Sequence, residues 1–102
     1  MKYDTAPEFD ADFKRLHDSE QRLFVEAVRK MISACKRDPG RIPGWPSSQR
    51  IRLLTDHPGI YEMTWSFPGP DGRATFEIVS DEHGEPVIRW RRVGGHDVFR
   101  KP

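Results

Sequence analysis

Cys35 is the only cysteine in 102 residues, so the chain can form no internal disulfide, and a cysteine-based metal site is implausible. It falls at an apolar helical position, the setting of a buried, inert thiol rather than of a nucleophile. No apolar run approaches the roughly 20 residues that a membrane-spanning helix needs, and no signal-peptide pattern is present. The expectation is a soluble, cytoplasmic protein with no membrane partner. A charge excess of either sign is also missing: 17 Lys and Arg against 16 Asp and Glu leave +1. That sum alone gives no reason to expect nucleic acid. Internal repeats and low-complexity segments are absent as well.

What is present fits one domain spanning residues 1–102, with 35% hydrophobic and 32% charged residues implying a thin core and a well-solvated surface. The charges are unevenly placed. Residues 1–20 hold three basic and six acidic side chains, and 71–85 hold one arginine against five acids. By contrast, 41–52 hold three arginines and no acid, while 89–102 hold five basic residues against Asp97 alone. Folding could bring these two basic segments together.

Along the chain, Lys2 to Thr5 is a possible short first strand, limited by Pro7. Phe9, Phe13 and Leu16 recur at helical spacing, with acids early and Lys14-Arg15 late. A break at His17-Asp18-Ser19 precedes a second helix over 19–37, for which Asp18 is the expected cap and Gln21 its capping-box partner. Its apolar stripe comprises Leu23, Phe24, Ala27, Val28, Met31, Ile32 and Cys35. Asp38-Pro39-Gly40 ends it, and 38–49 read as an ordered crossing loop pinned to the core by Trp45. From Arg50 the period becomes strand-like. Arg50–Leu54, Ile60–Phe67, Arg73–Ser80 and Pro86–Val93 are separated by the turn signals DHPG, PGPDG and DEHG, predicting an antiparallel meander of four strands. Gly59, Gly69, Gly72 and Gly84 are expected to serve those turns.

Alternation along these strands assigns two faces. Ile51, Leu53, Tyr61, Met63, Trp65, Phe67, Ala74, Phe76, Ile78, Ile88 and Trp90 would form an apolar floor for the helices. Arg50, Arg52, Glu62, Thr64, Thr75, Glu77, Arg89 and Arg91 would share the opposite face. A one-residue bulge would exchange Arg91 for Arg92 there. The expected fold class is therefore α+β: an N-terminal helical pair packed on one face of an antiparallel sheet of four strands plus a possible short N-terminal strand, with an arginine-rich surface opposite. On residues alone, ordinary cross-strand ion pairs on a solvated face are the favoured reading of that surface.

The order of pieces resembles the RelE/ParE superfamily of type II toxin–antitoxin toxins over nearly the whole chain. It runs from the helical pair DADFKRL and EQRLFVEAVRKM through the basic strand RIRLL and the Gly-aromatic strand GIYEMTW to WRRVGGHDVF. The ending R-V-G-x-H-D-x-F is most similar to the HigB- and YafQ-like branch. The resemblance implies a RelE/ParE-like fold and a metal-independent endoribonuclease (an mRNA interferase) that cleaves messenger RNA, commonly on the ribosome, to block translation. It implies no cofactor and no metal, and a cognate antitoxin as protein partner. By position, Arg50 and Arg52 match the paired basic residues of the first long strand, and Arg91 or Arg92 matches the basic residue of the last. His96 matches the C-terminal histidine and Phe99 the terminal aromatic. One departure stands out: RelE-type members carry an arginine where this chain has Glu62, which leaves room for acid–base chemistry.

Such cleavage needs the ribose 2′-OH deprotonated, the in-line transition state neutralised and the leaving 5′-oxygen protonated. Arginine forks suit the neutralisation and histidine either proton transfer. The expected catalytic set is Arg50, Arg52, Arg91 and His96, with Arg89 and Phe99 contacting RNA. Glu62 is a second proton-transfer group or orders an arginine, Asp97 could orient His96, and Phe99 could instead pack the tail onto the sheet. His57 and His83 read as exposed turn residues and His17 as a helix-boundary residue. The rival functions are a ParE-like, non-enzymatic inhibitor of DNA gyrase and an inactive binding module of the same fold.

Overall fold

The computed structural model describes residues 2–37, 45, 50–66, 72–95 and 102. Its elements are β1 (Lys2–Thr5), α1 (Pro7–Arg15), α2 (Asp18–Arg37), β2 (Ile51–Leu53), β3 (Ile60–Ser66), β4 (Gly72–Ser80) and β5 (Pro86–Gly94). The architecture is α+β, with two helices and an open five-stranded sheet in the order β1-β5-β4-β3-β2. β2 to β5 pair antiparallel in sequence order. β1 runs parallel to β5, Lys2 opposite Val87 through Thr5 opposite Trp90, which makes the sheet mixed rather than antiparallel throughout. The possible short first strand is a full member of the sheet, beside the four strands expected from Arg50 onward.

Local chemistry explains the helix ends. Pro7 opens α1, where the lost N–H has no intrahelical acceptor in any case. The cap of α2 is not Asp18. The chain enters the helix at His17, whose carbonyl accepts from Gln21 N at 2.9 Å and whose N–H donates to Glu20 Oε1 at 2.9 Å. Glu20 thus fills the reach-back half of a capping box one residue earlier than the sequence suggests. Gln21 turns back to the preceding helix instead. Its Nε2 donates to the Phe13 carbonyl at 2.9 Å, satisfying an acceptor at the end of α1.

The core is aromatic. Phe9, Phe24, Trp65, Phe76 and Trp90 are buried together with Met31, Met63, Ala74, Ile88 and Val93. Phe24 meets Trp90 edge-on at 5.1 Å between centroids and Trp65 at 6.0 Å, tying α2 to β5 and β3. Trp45 packs edge-on to Phe76 at 5.6 Å and donates Nε1 to the Met31 carbonyl at 3.3 Å, as expected of a loop pin. Each large apolar side chain so buried contributes about 1.5–3 kcal/mol. Leu53 does not join the floor. It is 52% exposed on a three-residue edge strand, and Leu54 is buried instead. Leu23 is likewise exposed, at the margin of the α2 stripe. Gly72 lies in β4 rather than in a turn, and a Cβ there would overlap the Trp65 indole. Phe67 and Gly69 lie outside the described residues. No helix among the described residues is long and apolar enough to cross a membrane.

Candidate functional site

Register turns the alternation of the strands into a grid on the face opposite the core. Arg52, Glu62, Thr75 and Arg92 form one row across β2, β3, β4 and β5. Ile60, Glu77 and Arg89 form the next row, and Thr64 with Arg73 the row on the other side. Four of these side chains are arginines drawn from β2, β4 and β5, segments remote in sequence.

The β4–β5 ladder slips between Thr75 and Phe76, so that Thr75 faces Arg92 and Phe76 faces Trp90 while Arg91 has no opposite residue. Arg91 is the extra residue of a β-bulge. Without it Val93 would fall on the polar face; with it Val93 returns to the core at 2% exposure. The two arginines then diverge. Arg91 donates Nη1 to Glu77 Oε2 at 3.2 Å and Nε to the Pro102 carbonyl at 3.0 Å. Arg92 reaches the other way, around the free edge of β5 beyond the end of β1. There its Nε lies 2.5 Å and its Nη2 3.2 Å from the Asp12 carboxylate of α1. Asp12, buried at 6% exposure, also accepts the Val93 N–H at 3.2 Å. Asp12 therefore satisfies a strand-edge donor that β1 is too short to cover. Arg92 is anchored to α1, whereas Arg91 stays over the sheet.

Both nevertheless line one open cleft of about 730 Å³, together with Arg89, Glu77, Ile60, His57, Glu8 and Pro102. His57, read from sequence as a spectator in a turn, thus borders the arginines. At the neighbouring row Glu62 is 2% exposed, its Oε1 3.4 Å from Arg52 Nε and 3.5 Å from Arg73 Nε. Arg73 also donates Nη1 to Thr64 Oγ1 at 2.7 Å. Glu62 is thus buried between two guanidinium groups and not on a solvated surface.

Of the expected site residues, Arg52, Glu62, Arg89, Arg91 and Arg92 share this face or its edge. Arg50 precedes β2 instead of lying within a strand. It is exposed, has φ 49°, and its carbonyl accepts Thr64 N at 3.2 Å. His96, Asp97 and Phe99 lie outside the described residues. Sequence reasoning passed over Arg73 and Asp12. Arg73 has the same parity as Thr75 and Glu77, so alternation could have placed it on the polar face. Nothing in the sequence singles out Asp12 from the other acids of the first helix. Among the described residues, no three His, Cys, Asp or Glu side chains converge to hold a metal ion.

Compared with family models, with curated proteins and with solved structures, the chain matches none.

Proposed function

We propose that the arginine face binds RNA and cleaves its phosphodiester backbone, making the protein the toxin of a type II toxin–antitoxin pair with a RelE/ParE-like fold. One observation carries the reading: Arg52, Arg73, Arg89 and Arg91, from three different strands, are gathered on a single sheet face with an open cleft beside them. Cross-strand ion pairing accounts for part of this arrangement, as with Arg91 and Glu77.

In this reading Arg52 and Arg91 neutralise the phosphoryl oxygens in the transition state, and Arg89 tracks the backbone. Arg50, immediately before β2, joins them in a role that rests on the sequence resemblance. His96 supplies a proton transfer and Phe99 stacks on a base, roles that rest on the sequence resemblance. Messenger RNA on the ribosome is the substrate, and the partner is an antitoxin whose acidic segment covers the arginines. Cytoplasmic residence belongs to the same proposal.

Expression in a bacterial host while labelled methionine, uridine and thymidine are followed tests the reading. Early loss of methionine incorporation supports it. Early loss of thymidine incorporation favours the gyrase-poison reading, and no loss of any label favours an inactive binding module.

A further inference from the structure

His57 borders the cleft because of the turn that carries it. β2 and β3 are joined through His57-Pro58-Gly59-Ile60, where the Ile60 N–H donates to the His57 carbonyl at 3.1 Å and Gly59 has φ 82°. Proline in second place and a positive φ in third mark a type II turn. A Cβ at Gly59 would meet nothing, so glycine serves the backbone there and not a close contact. The turn fixes the His57 backbone three residues ahead of Ile60, where β3 begins. The half-buried side chain lines the open cleft beside Glu77, Arg89 and Arg91. Of the three described histidines it alone does so. His17 leads into α2, and His83 has a 72% exposed side chain beside Glu82 in the β4–β5 turn.

The charged groups around His57 are not all engaged. Glu77, in register with Ile60 and Arg89, gives its carboxylate to Arg91 at 3.2 Å. Arg89 is different: among the described residues its guanidinium has no hydrogen-bond or ion-pair partner. Nor, among those residues, does any such contact engage the His57 ring. A guanidinium and an imidazole therefore border one cleft from two separate segments. Both ring nitrogens of His57 are available to a group that enters it.

We propose that His57 is a catalytic residue of the RNA cleavage and performs one of its two proton transfers. This rests on the reading of the face as an RNA-cleaving surface. In that reaction the ribose 2′-oxygen loses its proton and bonds to phosphorus. The bond from phosphorus to the 5′-oxygen breaks, and that oxygen gains a proton. The products are a 2′,3′-cyclic phosphate and a 5′-hydroxyl, with no water consumed. His57 takes the first proton as neutral imidazole or gives the second as imidazolium, and the other transfer falls to a second group. In-line displacement sets the entering and leaving oxygens on opposite sides of phosphorus, so one imidazole serves only one of them. Histidine suits the task because its charge changes near neutral pH.

His57→Ala is expected to slow single-turnover cleavage of a defined messenger RNA on programmed ribosomes by about 10²- to 10⁴-fold, with KM changed little. His83→Ala, altered outside the cleft, should cleave at the wild-type rate. Added imidazole should restore part of the rate to His57→Ala and none to Arg91→Ala. Free imidazole can replace a lost proton-transfer group but not a lost guanidinium. A residue that only shapes the turn would show no such rescue.

Three results would overturn the inference while leaving the RNase reading standing. They are wild-type cleavage by His57→Ala, a loss confined to KM, and a loss that imidazole does not relieve. Circular dichroism confirms that each variant is folded; should His57→Ala fail to fold, His57→Ser is judged by the same rescue. If the wild-type protein cleaves no RNA, the reading of the face falls, and this inference with it.

Discussion

Arg92 and Asp12 lie 80 residues apart in the chain and form the shortest ion pair among the described residues, with Arg92 Nε 2.5 Å from Asp12 Oδ2. The contact joins α1 to the last strand just where β1 stops covering its edge. Breaking a fully buried pair costs about 3–5 kcal/mol, and here the cost is smaller because Asp12 also pairs with Arg15 Nη1 at 3.5 Å. Because Arg92 is partly exposed, Asp12→Ala is expected to lower unfolding free energy by about 2–4 kcal/mol. Urea denaturation measures this, and a loss below about 0.5 kcal/mol, the level of an ordinary surface substitution, would refute the anchoring role.

The adjacent arginines should therefore behave differently. Arg92→Ala is expected to reduce stability much as Asp12→Ala does. Arg91→Ala removes a partly exposed pair with Glu77 and should change stability by about 1 kcal/mol or less while abolishing most cleavage. Thermal melts and cleavage assays on both variants check the separation. An Arg92→Ala protein that keeps full stability but loses cleavage would reverse the assignment.

Arg50 carries a left-handed backbone, φ 49°, that costs a non-glycine residue about 1–2 kcal/mol. Arg50→Gly removes that cost and the side chain together. It should be at least as stable as Arg50→Ala by thermal melt, while both lose the same fraction of cleavage if the guanidinium acts on RNA. Full cleavage by Arg50→Gly would remove Arg50 from the catalytic set.

Asp81 holds the β4–β5 turn. Its Oδ1 accepts the N–H groups of His83 and Glu85, at 2.8 and 2.9 Å. The Glu85 N–H bond first, then the His83 N–H and the Lys2 ammonium, draw its carboxyl below the ordinary aspartate value of 3.8, against an opposing effect of burial. A depressed folded-state pKa gives stability that is present above the unfolded value and lost as pH falls through the folded one. Asp81→Ala should therefore melt earlier than wild type at neutral pH, with the gap closing below pH 3.8. A gap of constant size down to strong acid would rule out this source of stability.

The two helices, the strands from Ile51 onward and the polar face were legible in the sequence because apolar period and turn residues agree there. Glu62 was legible as a polar-face residue by its parity, but not its burial, which depends on Arg52 and Arg73 meeting it from neighbouring strands. The bulge at Arg91 was foreseeable only as an alternative, since a one-residue slip is invisible to alternation until a ladder partner fixes it. The Asp12 contact was not legible at all, being set by where β1 happens to end along β5. Leu53 failed as a floor residue because alternation assigns a side but not whether helices extend over an edge strand.

RNA cleavage by the arginine face is tested most directly with purified protein added to ribosomes programmed with a defined messenger RNA, beside folded Arg52→Ala and Arg91→Ala variants. The wild type is expected to cleave, and each variant to be slowed about 10²-fold or more. No cleavage by the wild type, or equal rates in all three proteins, would contradict the proposed function.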